Sequence, residues 1–222
     1  MRILKSCESR FRQFEPLAIV NRQSAIGFMQ IIPFQDLVRR YFSGEGFILF
    51  DTETSGLNTF HDDIIEVGAV TWQRGQEPKQ FQELMKVNVN KISDGAWEIH
   101  KIPKDEILAA RTPKEVLSDF INFCEARTLV AHNVKFDYDI LNSNLIRHGM
   151  KPYQNDWVAD SLTYAKEQMK PGRLLDLASH YKVTTKNSKL HRALYDVQIL
   201  KEVLDRMMKE NEPQEMQYSL IL

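Results

Sequence analysis

Asp51 and Glu53 close the run Phe47-Ile48-Leu49-Phe50-Asp51-Thr52-Glu53-Thr54-Ser55-Gly56-Leu57, in which apolar residues give way abruptly to two carboxylates. The apolar half, behind Gly44 and Gly46, suits a strand buried on both faces. Side chains two apart on a strand project from one face, ~7 Å apart along the backbone, so both acids emerge together. Like charges at ~4 Å repel by about 4 kcal/mol at an effective dielectric near ~20. Unless the strand end is simply solvated, a shared proton, a cationic partner or a bound divalent metal must offset that repulsion.

Two further acids fall at predicted junctions. Asp137 ends the stretch His132-Asn133-Val134-Lys135-Phe136-Asp137, where a strand hands over to a helix. In open α/β sheets that edge, beyond the carboxyl ends of the strands, is where sites are built. An acid in a first helical turn is also what the helix dipole favours on its own. Asp196 ends His191-Arg192-Ala193-Leu194-Tyr195-Asp196. Positions five apart lie ~140° apart around a helix, so His191 and Asp196 converge only if His191 stays in the preceding loop. A histidine on a loop can reach an incoming water as a base. Asp196 lies among Ala193, Leu194, Val197 and Leu200, near the buried side, where an unpaired charge is costly.

The elements that must carry these residues follow from periodicity. Apolar runs predict strands over 47–51, 64–72 and 81–89, joined as an antiparallel meander, with Arg74-Gly75-Gln76 as one turn. Helical spacing predicts helices over 97–100, 104–110 and 113–125, the last opened by Thr112-Pro113. A short strand over 128–131 precedes a helix over 133–147, which Gly149 stops, and a strand over 157–159 precedes a helix capped by Asp160-Ser161. A helix over 174–181, a basic loop over 182–190 and a long helix over 192–210 complete the pattern. A meander followed by alternating strands and helices implies a mixed sheet sandwiched by helices. Upstream, the spacing of Phe34, Leu37, Val38, Tyr41 and Phe42 predicts a helix that docks its apolar stripe on the body, with Pro33 at or just before its first turn.

Composition is that of an ordinary globular protein: 222 residues, 43% hydrophobic and 27% charged, with a formal net charge of −1. No global basic field advertises nucleic acid, although a metal site with a local basic patch can bind phosphates on a neutral protein. Cys7 and Cys124 alone make neither a disulfide framework nor a zinc cluster, which fits a reducing, cytoplasmic setting. No apolar run has signal-peptide or membrane-spanning length, so neither export nor a membrane partner is expected.

The three acid-bearing stretches, 51–57, 132–137 and His191 with Asp196, resemble in order the exonuclease motifs of the DEDDh (DnaQ-like) 3′→5′ exonucleases. The resemblance covers roughly residues 46–210, with secondary matches at Ile64-Ile65-Glu66-Val67-Gly68-Ala69-Val70 and Asp160-Ser161-Leu162. It implies an RNase H-like (exonuclease) fold, an α/β architecture with a mixed five-stranded sheet flanked by helices. It further implies that Asp51, Glu53, Asp137 and Asp196 hold two Mg2+ or Mn2+ ions, with His191 as general base towards the attacking water. Hard oxygen ligands without thiols or clustered histidines do favour those ions over zinc. A neutral imidazole with a pKa near ~6.5 suits that base at neutral pH. Related enzymes seat the terminal nucleotide just after the first motif, which makes Thr54 and Leu57 candidates, Leu57 as an apolar wedge against a base. His132 and Asn133 are candidate pocket residues, with helix capping by Asn133 as the rival reading. Lys182, Lys186, Lys189 and Arg192 flank His191 and either attract phosphodiesters or form a solvated loop.

The expected organisation is an N-terminal extension over 1–45, an exonuclease domain over 46–211 and a tail over 212–222. The tail ends Gln217-Tyr218-Ser219-Leu220-Ile221-Leu222, which resembles a bacterial sliding-clamp-binding peptide through Gln217, Leu220 and Leu222. The reading is therefore a metal-dependent exonuclease releasing nucleoside 5′-monophosphates from DNA 3′ ends, in proofreading beside a replicative polymerase and sliding clamp. An exonuclease that trims RNA or repairs single-stranded DNA is the alternative within the class. A catalytically silent polymerase or clamp adaptor is the alternative outside it.

Overall fold

The structure, a computed structural model, describes residues 29–186 and 190–214. Lys189 and the tail residues Gln217, Leu220 and Leu222 lie outside the described residues, as does most of the expected N-terminal extension. The strands are β1 (Gln30–Ile31), β2 (Phe47–Thr54), β3 (Ile64–Trp72), β4 (Gln80–Leu84), β5 (Thr128–Ala131) and β6 (Trp157–Asp160). The helices are α1 (Phe34–Phe42), α2 (Asp94–His100), α3 (Lys104–Ala109), α4 (Pro113–Cys124), α5 (Val134–Arg147), α6 (Ser161–Glu167), α7 (Leu174–His180) and α8 (Ala193–Glu210).

One mixed sheet runs β1-β6-β5-β2-β3-β4. β2, β3 and β4 form the antiparallel meander, while β5, β6 and β1 extend the other side of β2 in parallel. The sheet has six strands where five were expected. The extra one is β1, whose two residues pair Gln30 with Trp157 and Ile31 with Val158. Two residues carry no readable period, so only the partner strand reveals it. β4 is also shorter than expected, ending at Leu84. Beyond it Met85 bridges to Arg111, the Lys86 amide donates to the Arg111 carbonyl at 2.8 Å, and residues 89–91 turn as a short 3-10 helix.

Alternation along β2 splits the core. Phe47 and Leu49 face a cluster with α1, α6, α7 and α8, including Leu37, Trp72, Tyr164, Val197 and Leu204. Ile48 and Phe50 face the opposite cluster with α3, α4 and α5, including Val67, Phe120, Leu129 and Tyr138. The same period carries Asp51 and Glu53 to the α8 side and turns Thr52 away from it. On β3, Glu66 and Gly68 share the parity of Val70 and Trp72, which also places them under α8.

Helix ends are fixed locally. Glu115 closes back on the N-cap of α4, its Oε2 accepting from the Thr112 amide at 3.1 Å and the Thr112 hydroxyl at 2.6 Å. Gly149, at φ +72°, closes α5: its amide donates to Ile146 O and that of Met150 to Leu145 O. No helix among the described residues is long and apolar enough to cross a membrane.

Candidate active site

Three segments distant in sequence meet at the end of β2. Asp51 and Glu53 come from the strand, and Asp196 from the first turn of α8. One carboxylate oxygen from each lies within 4.8 Å of the other two. Asp137 comes from the first turn of α5 and is 4% exposed. Its Oδ1 accepts from the Thr52 amide at 3.0 Å and the Thr52 hydroxyl at 2.7 Å, which ties it to the strand between the two acids.

The helices arrive by specific contacts. α8 can approach because residue 68 is glycine: a Cβ there would stand 2.2 Å from Leu194 N and 2.4 Å from Ala193 C. α5 starts at Asn133, which adopts φ +70° and makes no side-chain cap. Asp160 caps it instead, its Oδ1 accepting from the Asn133 and Val134 amides at 2.8 and 3.3 Å and from the Leu162 amide of α6 at 3.1 Å. One buried carboxylate thus starts two helices, which replaces the expected capping by Asn133.

The electrostatics follow from burial and crowding. Burial, then Asp137, Glu53, Asp196 and Glu66, hold Asp51 well above the usual carboxylate range. Glu53 is pushed up to about 8 by burial and by Asp196, Glu66 and Asp137, with Arg192 opposing. Burial raises Asp137 to about 7 against the pull of its Thr52 bonds. Burial raises Asp196 to about 6, with His191 opposing. Such a set prefers either retained protons or divalent positive charge. An all-oxygen donor set of this kind fits Mg2+ or Mn2+.

His191 sits outside α8 in an exposed loop, at φ +60°, and its amide donates to Asp196 Oδ2 at 3.1 Å. Beside the acids lies a cleft of about 280 Å³ whose lining includes Glu53, Thr54, Leu57, Ile99, His100 and Phe136. Leu57 is 86% exposed there. Thr54 donates its hydroxyl to Gly56 O at 2.7 Å, holding the turn that presents Leu57. His132 and Asn133 do not line this cleft. The two ring nitrogens of His132 lie 2.8 Å from Ser161 Oγ and 2.8 Å from Gly172 O, which commits the imidazole to the scaffold. Arg192, expected to meet phosphates, is engaged by Glu66 at 2.9 Å.

The sequence reading missed several neighbours of the site. Glu66 is fully buried, and its signal was a charge in the middle of the apolar run 64–70. Ile99, His100 and Phe136 gave no signal, because local spacing does not say which loop faces β2. His100 is 3% exposed, and its Nδ1 accepts from the Ile102 amide at 3.0 Å. Its Nε2 is buried without a protein partner among the described residues.

Residues 48–204 match the RNase T family model, whose description is exonuclease. The chain belongs to the DnaQ-like exonuclease family. Among curated relatives of this chain are the DNA polymerase III PolC-type proteins of Pediococcus pentosaceus, 33% identical over 156 residues, and Lactococcus lactis, 30% identical over 167. The alignments cover 69% and 74% of this chain but only 11% and 10% of those proteins. The chain thus spans about a tenth of the length of the relatives it matches. Among solved structures, a full-length 3′-exonuclease aligns with TM-score 0.64 at 18% identity, covering 76% of this chain and 83% of that one. Exonuclease I of E. coli in complex with a dT13 oligonucleotide aligns with TM-score 0.63 at 18% identity, covering 78% and 43%. These likenesses establish the RNase H-like exonuclease fold.

Proposed function

We propose that the chain is a metal-dependent 3′→5′ exonuclease that hydrolyses the last phosphodiester at a DNA 3′ end and releases a nucleoside 5′-monophosphate. The observation that carries this reading is the meeting of Asp51, Glu53, Asp137 and Asp196 from three separated segments beside an apolar-walled cleft. Asp51, Glu53 and Asp196 would hold divalent cations, with Asp137 completing the set from the Thr52 side. Two such cations supply the positive charge that favours ionisation of the attacking water and offsets charge on the departing oxygen.

The protein side chains do the rest. Leu57, Ile99 and Phe136 offer apolar surface to the terminal nucleoside, which seats its phosphate towards the acids. His191, exposed on the loop before α8, takes the proton of the water that attacks phosphorus. As the new P–O bond forms, the bond to the 3′ oxygen of the shortened strand breaks, and that oxygen takes up a proton from solvent water. A neutral imidazole is the form required for that step.

The PolC-type relatives favour a proofreading role beside a polymerase. A structural neighbour described as recognising a histone mRNA stem-loop supports the alternative of RNA trimming. Deleting residues 217–222 and measuring affinity for a sliding clamp tests the tail; unchanged affinity, or none, ends that partner assignment.

The deciding experiment digests 5′-labelled DNA and RNA oligonucleotides, single-stranded and mispaired, with Mg2+ or Mn2+. The expected result is stepwise shortening from the 3′ end with DNA preferred, abolished in folded Asp51→Asn and Asp196→Asn. A wild-type protein inert with both ions, or one that cuts internally, overturns the reading, and inertness favours an adaptor.

A further inference from the structure

We propose that Glu66 and Arg192 form a positioning pair that sets the first turn of α8, and with it His191 and Asp196, against the acidic end of β2. The proposal deepens the reading of this site as a nuclease and rests on it for its kinetic part. Glu66 stands directly opposite Glu53 in the β2–β3 ladder and is fully buried. A fifth carboxylate so close to the cluster works against it, since Glu66 raises the pKa values of Asp51, Glu53 and Asp196 alike. Holding a helix down does not require a charge: an apolar side chain of similar size would pack as well. What a carboxylate adds is direction.

That direction falls on one peptide. Glu66 Oε1 accepts from Arg192 Nη2 at 2.9 Å and from Arg192 Nε at 3.2 Å, and Oε2 also accepts from Arg192 Nε at 3.2 Å. Oε2 further accepts from the Ala193 amide at 3.0 Å, and Oε1 from Gln82 Nε2 at 2.8 Å. The carbonyl of Arg192 in turn accepts from the Tyr195 and Asp196 amides at 2.8 and 3.1 Å, the opening bonds of α8. His191, the next residue upstream, donates its amide to Asp196. Arg192 is therefore gripped by its side chain and its carbonyl, between the two residues that must reach the reacting atoms. A fork-shaped guanidinium on a carboxylate fixes orientation as well as distance. A misplacement of ~1 Å in such a constellation can cost ~10²-fold in rate.

The test compares Glu66→Gln, Arg192→Gln and the double variant, with Arg192→Lys as a milder change that keeps the charge and loses the fork. Two measurements are made. Amide hydrogen exchange reads the position of the first turn without reference to activity, and steady-state kinetics on a DNA oligonucleotide with Mn2+ reads its consequence. In Glu66→Gln, exchange over residues 191–197 is expected to rise ~10-fold while residues 200–208 keep wild-type protection. kcat is expected to fall ~10–100-fold with KM within ~2-fold, and the double variant to be no worse than the poorer single one, as for residues acting as a unit. Unchanged exchange over 191–197 overturns the pairing. So do kcat values that simply track lost thermal stability, or single losses that multiply in the double variant. A wild-type protein inert on all ends overturns the proposed function instead, and exchange alone then decides the pair.

Discussion

Every acid gathered at the end of β2 holds its proton more tightly than it would in an unfolded chain. Glu53 rises to about 8, Asp137 to about 7 and Asp196 to about 6, against ordinary values near ~4. A folded state that binds more protons than the unfolded one loses stability as pH rises through the interval between the two pKa values. The metal-free protein is therefore expected to weaken progressively as pH rises from about 4 towards 8, where the carboxylates ionise against each other. Divalent cations reverse the loss, because they bind the ionised set. Thermal melts at pH 5.5 and 8.5 check this: Mn2+ should raise Tm by about 5 °C or more at pH 8.5, roughly 1–2 kcal/mol, and by much less at pH 5.5. A Tm of stripped protein that climbs with pH would contradict it. For His191 the expectation is kinetic. His191→Ala should lower kcat by ~10²–10⁴ while Mn2+ affinity stays within about 2-fold, as for a base that takes a proton but ligates nothing. An equal loss of Mn2+ binding would instead make His191 a ligand.

At the scale of elements, the site depends on how closely α8 lies on β3. Only a hydrogen occupies the Gly68 position beneath the Ala193–Leu194 backbone. An alanine methyl would meet main chain, which no rotamer change can relieve, so α8 must lift. Gly68→Ala is expected to destabilise by about 1–3 kcal/mol, as overpacked cores do. It should also lower nucleotide release at least ~10²-fold at temperatures where the chain stays folded, through displacement of Asp196. Wild-type activity in a folded Gly68→Ala protein would show that the contact positions nothing. The helix and strand spans around this contact were legible, since α8 carries a 3.6-residue period and β2 and β3 strong apolar runs. What local pattern left out was the use of Asp160 to start α5 as well as α6. That carboxylate reads from sequence as an ordinary cap of its own helix.

For the whole molecule, α1 is part of the core rather than an appendage. Phe34, Leu37, Val38 and Phe42 are buried in the cluster that also contains Trp72 and Tyr164. Tyr41 stacks on Trp72 with ring centroids 4.4 Å apart, and β1 lengthens the sheet beyond β6. Burying each large apolar side chain contributes about 1.5–3 kcal/mol, and removing α1 also uncovers the rings of Trp72 and Tyr164 against which Tyr41 and Phe34 pack. A chain beginning at residue 46 keeps every candidate catalytic residue yet should melt at least ~10 °C lower or aggregate. Equal thermal stability would return α1 to the status of a separate extension.

The order of elements and the types of residue at their ends were determined by the sequence itself, because 2- and 3.6-residue periods are properties of neighbouring positions. Four acids and a histidine, in three stretches resembling one family's motifs, could be named from those positions alone. Which of the named groups meet was decided by contacts across the fold: Asp137 on Thr52 across 85 residues, and Glu66 on Arg192 across 126. Such separations leave no local period. Only packing shows that His132 serves the scaffold, that Arg192 is held by a buried glutamate, and that a two-residue strand completes the sheet.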